Sequence, residues 1–290
     1  WTFAPMVDIA RDLRWGRIAE GSGEDAYLGG LIAAASVRGF QGNDYGRPDR
    51  VVACLKHYVG YGAAEGGRDY NTTEIGLPTL RNIYLPPFRA GVEAGAGTLM
   101  AAFNCLNGVP TSGNRFTLDQ VLRREWGFGG FVVGDWESVG ELVHHGYAAD
   151  KAEAGVLSLT AGVDMEMVSE CYRELPAMID QKKIDSAVID EAVRRILRVK
   201  FKKGLFDRPY TAPVEVDVAA HRALAREAVA ASCVLLKNEG AVLPLNTRSI
   251  AIIGPFAEEQ AELLGCWHAL GNAKDVVSLH AGLKDAVKKG

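Results

Sequence analysis

Residues 130–139, GFVVGDWESV, decide how this chain is read. Phe131, Val132 and Val133 form a short apolar, β-branched run of the kind that makes a buried parallel strand, and the run stops at Gly134 with a carboxylate and an indole directly after it. Asp135 therefore stands where a strand ends. In α/β folds ligands bind at the carboxyl ends of the strands, so an acid placed there beside a flat aromatic is a candidate for chemistry. Acids also cap the turns and helices that follow strands, and the decapeptide alone leaves both roles open for Asp135.

Outward from this stretch, from residue 1 to about 204, one phrase recurs: a short apolar strand, a polar Gly-rich loop, an amphipathic helix. Strands are predicted at residues 2–7, 51–56, 98–103, 131–134 and 162–167. A helix is predicted at 24–39, with Leu28, Leu31, Ile32 and Ala35 on one stripe. Residues 78–94 read as two shorter helices, because Pro86 and Pro87 interrupt them and proline suits a first helical turn. Thr117 with Gln120, and Asp150 with Glu153, have the spacing of capping boxes. Residues 184–203 form a strongly amphipathic helix ended by Gly204. Strands alternating with helices imply a parallel sheet with right-handed crossovers, so every loop leaving a strand lies on one face.

Those loops are rich in chemistry. After the first strand comes DIARDLRWGR (8–17), after the second Lys56-His57-Tyr58, after the third Asn104 with Asn107, after the fourth Asp135-Trp136, and near the fifth Glu166. Acids, cations, amides and aromatics converging on one face suit a neutral ligand with many hydroxyl groups: charged groups hydrogen-bond the hydroxyls, and indole faces stack on the apolar faces of sugars. Lys56, His57 and Arg17 each have an ordinary alternative, as a salt bridge, a satisfied core imidazole, or a partner for the acids of residues 20–25. Met100 and Phe103 fall near the rim by strand position, although strand apolars are usually core.

The chain has 290 residues, 48% hydrophobic and 23% charged, which fits a sizeable core in one large or two medium domains. A net charge of −4 gives no electrostatic reason to expect nucleic acid or an anionic membrane as partner. No apolar run reaches the length of a membrane span. The five cysteines, Cys54, Cys105, Cys171, Cys233 and Cys266, are scattered without a CxxC pair and read as small buried apolar residues. His144-His145 has no ligand-spaced partner, and HExxH, P-loop, GxSxG and GxGxxG motifs are absent, so no metal or cofactor is expected in catalysis. Residues 205–217, with Pro209 and Pro213, read as a linker. Beyond it, a helix at 219–231 and strand-like runs at 234–236 and 250–254 open a second α/β domain. The chain starts on Trp1 as though already inside a strand and reads as an excerpt of a longer polypeptide.

With these residues laid out, the chain resembles the family 3 glycoside hydrolases, in particular bacterial periplasmic-type β-glucosidases. The resemblance is carried by FAPMVDIARDLRWGR (3–17), EGSGEDAYL (20–28), CLKHYVGYGAAEGGRDYN (54–71), GFVVGDWESV, AGVDMEM (161–167), KGLFDRPY (203–210) and SCVLLKNEGAVLPL (232–245), all in family order. It implies a partial (β/α)8 barrel over residues 1–204, the linker, and the start of an α/β sandwich domain over 218–290. The first barrel strands are expected upstream of Trp1.

It further implies that Asp135 is the catalytic nucleophile, with Gly134 where the family commonly has Ser, and that Trp136 is the aromatic residue beside it in the sugar site. Arg17, Lys56 and His57 match the positions that hold sugar hydroxyls, and Met100 is taken as a further substrate contact. The implied reaction is retaining hydrolysis of a β-linked oligosaccharide or glucoside, in the periplasm or outside the cell. The family's acid/base is a Glu well into the sandwich domain, which Glu239, Glu258, Glu259 and Glu262 do not match, so the excerpt is expected to be nearly inactive alone. The loop 58–75 contains Asp69 but no His, which argues against β-N-acetylglucosaminidase activity. A β-xylosidase or arabinosidase, or a non-catalytic sugar binder, stays open on sequence.

Overall fold

Residues Phe131–Trp136 form a strand inside a four-stranded parallel sheet. The computed structural model describes residues 1–212, 215–245, 249–265 and 268–289, and the chain divides into two units, Trp1–Pro213 and Val214–Gly290. In the first unit the strands are β1 (Cys54–Tyr58), β2 (Thr98–Ala101), β3 (Cys105–Leu106), β4 (Val109–Pro110), β5 (Phe131–Trp136) and β6 (Met165–Met167). The sheet order is β1-β2-β5-β6, with β3 and β4 forming a small antiparallel hairpin. Leu99 pairs with Val132 and Met100 with Val133, so the two most apolar strands lie side by side in register.

The alternation of a strand assigns each side chain to a face. Leu55, Leu99, Ala101 and Val132 belong to one apolar cluster, which includes Ala33 and Val37 of the helix Ala26–Gln41 and Phe88 of the helix Pro86–Glu93. Cys54, Met100, Phe131 and Val133 belong to another, where Ile196 and Val199 of the helix Ser186–Lys203 pack. Leu99 is fully buried, and trimming such a leucine to alanine costs about 2–5 kcal/mol. The helices Ala26–Gln41 and Pro86–Glu93 cross closely because glycine stands at the contact: a Cβ on Gly30 would lie 3.3 Å from the Ala90 Cβ. Gly204 ends the last helix of the unit with φ at 77°, the left-handed cap expected of it.

Several expectations shift. Residues 2–7 run beside β1 through Thr2 N–H to Val52 O, Cys54 N–H to Ala4 O and Val7 N–H to Lys56 O, but only Met6 forms a ladder bridge. The strand predicted at 162–167 shortens to Met165–Met167 because Asp164 turns its carboxylate back to the Val132 N–H. Thr117 is not a cap: it lies inside the π-helical segment Phe116–Glu125, and Asn114, three residues earlier, accepts from its N–H instead. Asp150 does cap its helix, accepting from the Glu153 N–H. Asp185 does the same for the helix Ser186–Lys203, accepting from the Ala187 N–H.

In the second unit the helix Val218–Ser232 forms as expected, capped by Asp217. Residues 234–236 and 250–254 are described but are not strands: Leu236 is 91% and Ile253 95% exposed, Ile250 and Ile252 are half-buried, and no neighbouring extended segment among the described residues pairs with them. A strand is made by its partners, and an apolar run without one has no ladder to join. Cys54, Cys105 and Cys171 are buried, Cys233 is exposed, and Cys266 lies outside the described residues. No helix among the described residues is long and apolar enough to cross a membrane.

Candidate active site

The carboxyl end of β5 delivers Asp135 to the mouth of the sheet. Its side chain is 14% exposed, and its own neighbour Trp136 donates a backbone N–H to Oδ1 at 2.7 Å. The other oxygen, Oδ2, lies 3.4 Å from His57 Nε2. His57 comes from β1, and it is fixed from behind: its backbone N–H and its ring Nδ1 both meet Asp8 Oδ2 at 2.8 Å. Asp8 follows the segment that runs beside β1, so the strand ends bring an acid, an imidazole and a second acid into line. The peptide bonds Lys56–His57 and Tyr58–Val59 are cis.

The line continues through aromatics. His57 packs edge-on against Tyr61, with ring centroids 5.1 Å apart, and Arg17 sits over the Tyr61 ring at 5.6 Å. Arg17 is clamped to Glu20 by two bonds of 2.6 and 2.8 Å, and that hydrogen bond holds the Glu20 carboxyl below the usual range. Lys56, half-buried beside His57, adds to the positive field at Glu20. Burial, reinforced by the Asp69 carboxyl, pushes the Tyr61 phenol far up, so it serves as a neutral wall. Asp69 is itself held by the Trp15 indole N–H at 2.9 Å. Tyr70 stacks edge-on against Phe103 at 4.6 Å on the same flank.

The strand ends are strained. Glu137 and Val168, which follow β5 and β6, both take positive φ, at 56° and 64°, and the Glu137 N–H reaches Met167 O at 2.9 Å. Left-handed backbone is an outlier for a β-branched residue such as valine, and such strain gathers at functional sites. Four residues on, Glu141 is half-buried, with Oε2 lacking a hydrogen-bond partner. Burial, then the charges of Glu137 and Asp135, push its carboxyl above the ordinary range.

Of the residues singled out from sequence, Asp135 and His57 stand in direct contact, Arg17 joins them through Tyr61, and Lys56 flanks His57. Trp136 is 61% exposed, free to present its indole at the mouth. Met100 is only 2% exposed and pairs with Val133, two residues before Asp135, which puts it one layer beneath the carboxylate on the same face. Glu166 is occupied, its two oxygens accepting the backbone N–H groups of Cys171 and Tyr172 at 2.9 Å. Asp8, Tyr61 and Glu141 were not singled out. Asp8 carried the same signal as Asp135, an acid at a strand end; Tyr61 and Glu141 carried none.

A hollow of about 790 Å³ lies between the loops of Arg11–Arg14, Gly62–Gly66 and Glu74–Gly76, away from Asp135 and His57. The chemistry sits with the carboxylates at the strand ends, since volume alone supplies no reacting group. Among the described residues no group of three or more His, Cys, Asp and Glu side chains is placed to hold a metal ion.

Comparison with known proteins gives a consistent set of likenesses. A model of the glycosyl hydrolase family 3 N terminal domain matches residues 1–199, and a model of the glycosyl hydrolase family 3 C-terminal domain matches residues 233–289. A periplasmic β-glucosidase of Salmonella typhimurium is 43% identical over 300 residues, covering 100% of this chain and 39% of that protein. A β-xylosidase of Formosa agariphila is 37% identical over 307 residues, covering 99% of this chain and 42% of that protein. A mutant β-glucosidase from Listeria innocua, solved in complex with laminaribiose, superposes with a TM-score of 0.93 at 38% identity, covering 98% of this chain and 41% of that one. The chain thus spans about two fifths of the length of the relatives it matches.

Proposed function

Because the chain belongs to glycosyl hydrolase family 3, we propose that its first unit carries the nucleophilic half of a retaining, exo-acting β-glycosidase site that releases terminal β-D-glucose. The observation that carries this reading is the 3.4 Å approach of Asp135 Oδ2 to a His57 that is itself held by Asp8, at the carboxyl end of a parallel strand. Asp135 attacks the anomeric carbon, the aglycone oxygen leaves, and water later releases the glycosyl ester; the reaction needs a second carboxyl group about 5 Å away as acid and then base. We assign that role to none of Glu239, Glu258, Glu259 and Glu262, and place it on a carboxyl group outside these 290 residues.

Around the nucleophile, Arg17, Lys56 and His57 bind sugar hydroxyls, Trp136 stacks on the sugar or its aglycone, and Met100 forms the apolar floor. The substrate is a β-glucoside or β-linked oligosaccharide, and the site of action is the periplasm or the cell exterior, in line with the relative named as periplasmic. A β-xyloside is the second reading, favoured by the likeness to a β-xylosidase at 37% identity. Initial rates on aryl β-glucosides and β-xylosides, for the parent and Asp135→Asn, test both. A glucoside preference abolished by the substitution supports the first reading, a xyloside preference the second, and turnover unaffected by Asp135→Asn contradicts both.

A further inference from the structure

We propose that Asp8 is the positioning residue of this site: by holding Nδ1 it fixes the tautomer of His57 and keeps the opposite ring nitrogen turned to the nucleophile. The inference deepens the hydrolase reading and rests on it for its kinetic part alone. Asp8 is almost fully buried, and among the described residues both of its side-chain hydrogen bonds are to His57: Oδ2 accepts from the backbone N–H, and it lies 2.8 Å from ring Nδ1 as well as 2.8 Å from that backbone nitrogen. Its other oxygen, Oδ1, is buried without a hydrogen-bond partner.

A buried carboxyl oxygen that leaves half its bonding capacity unused is costly to keep, so an arrangement that retains it has a use for the bonds it does make. In the proposed arrangement Oδ2 accepts both bonds, one from the His57 backbone N–H and one from the ring. The proton of that second bond therefore resides on Nδ1. The other nitrogen, Nε2, is the one turned toward Asp135 Oδ2, at 3.4 Å, and its protonation is then set by the sugar and the nucleophile rather than by the scaffold. The register is built into the backbone: Val7 N–H bonds to Lys56 O at 2.7 Å, which locks the residue after each partner, Asp8 and His57, side by side. Tyr61, edge-on to the imidazole, closes the ring's remaining freedom to turn.

The test is two measurements on the full chain. Long-range ¹H–¹⁵N correlation, with the His57 signals identified by their loss in His57→Gln, reports which nitrogen carries the proton. Nδ1 is expected to be protonated in the parent, and that preference is expected to fall in Asp8→Asn, whose amide can present nitrogen as well as oxygen. Glycosylation by a dinitrophenyl β-glucoside, whose leaving group needs no acid, is then expected to slow by roughly 10²-fold or more in Asp8→Asn, with KM within about 3-fold, and to recover in part in Asp8→Glu. An unprotonated Nδ1 in the parent overturns the proposal, as does an Asp8→Asn rate within about 2-fold of the parent. If Asp8→Asn fails to fold, the parent spectrum decides. A chain that shows the predicted tautomer but never reacts with glucosides leaves Asp8 in place and sinks the hydrolase reading instead.

Discussion

Replacing Asp164 by alanine is predicted to destabilise the first unit by about 3–5 kcal/mol, because one buried carboxylate holds three elements together. Its side chain is 1% exposed. Oδ2 accepts from Arg123 Nη2 at 2.6 Å and from the Val132 N–H at 2.8 Å, and Oδ1 accepts from Arg195 Nη1 at 2.9 Å. Arg123 in turn reaches the carbonyls of Phe128 and Gly130 at 2.8 and 2.5 Å, so the network frames the start of the strand whose far end carries Asp135. Burial pushes the Asp164 carboxyl up and the Arg123 guanidinium down to about 10, the direction expected of charges withdrawn from water, and Arg123 is still a cation at neutral pH. Alanine leaves that buried cation without its counter-charge, held only by the two carbonyls, and takes the Asp164 acceptor from the Val132 N–H. In a unit of this size each kcal/mol moves the transition by about 2–4 °C, so calorimetry should record a fall of roughly 6–20 °C. Asp164→Asn keeps an acceptor for Val132 but not the charge and should fall between the two. An alanine variant melting within about 2 °C of the parent would refute the argument.

Two further outcomes follow from the site's surroundings. Gly134→Ser installs a side chain whose Cβ would meet Ser138 Oγ at 2.9 Å and Val139 Cγ2 at 3.4 Å, and Ser138 Oγ is already bonded to Ser112 Oγ at 2.9 Å. Melting should show a loss of about 1–3 kcal/mol that Ser138→Ala in the same chain largely recovers; additive effects would show that the crowding is not the cause. Glu141→Gln tests the raised carboxyl beside Asp135. A carboxyl whose folded value is raised leaves stability untouched below the ordinary Glu range and lowers it as pH rises through the folded value. The neutral variant should therefore melt above the parent near pH 8 and not near pH 4, and the reverse order would contradict the assignment.

The two central strands of the sheet were legible because each is a short apolar run entered from a glycine, Gly97 or Gly130. Residues 98–103 and 131–134 read as buried strands, and the structure adds what the sequence does not say, that they are neighbours with Leu99 paired to Val132. The same rule failed at 234–236 and 250–254, where composition matches but no described partner strand lies alongside. Local signals also competed: Thr117 and Asn114 are both good caps, and Asn114 won because it sits one turn earlier. Strand-end position revealed Asp135 and His57 as candidates, while the link between them was hidden. Alternation tells which face a residue takes, not that Asp8 reaches across to a neighbouring strand, nor that Met100 lies a full layer below the mouth. Tyr61 had no periodic pattern to mark it, since it stands in a short 3-10 turn whose placement depends on tertiary packing.

The central claim is that the Asp135 carboxylate faces the anomeric carbon of a bound sugar, and covalent trapping tests it without any proton donor. Incubation with dinitrophenyl 2-deoxy-2-fluoro-β-glucoside, followed by proteolysis and mass spectrometry, should find a single fluoroglucosyl ester on Asp135, absent in Asp135→Asn. A label on another carboxylate, or reversible sugar binding with no label at all, would contradict it.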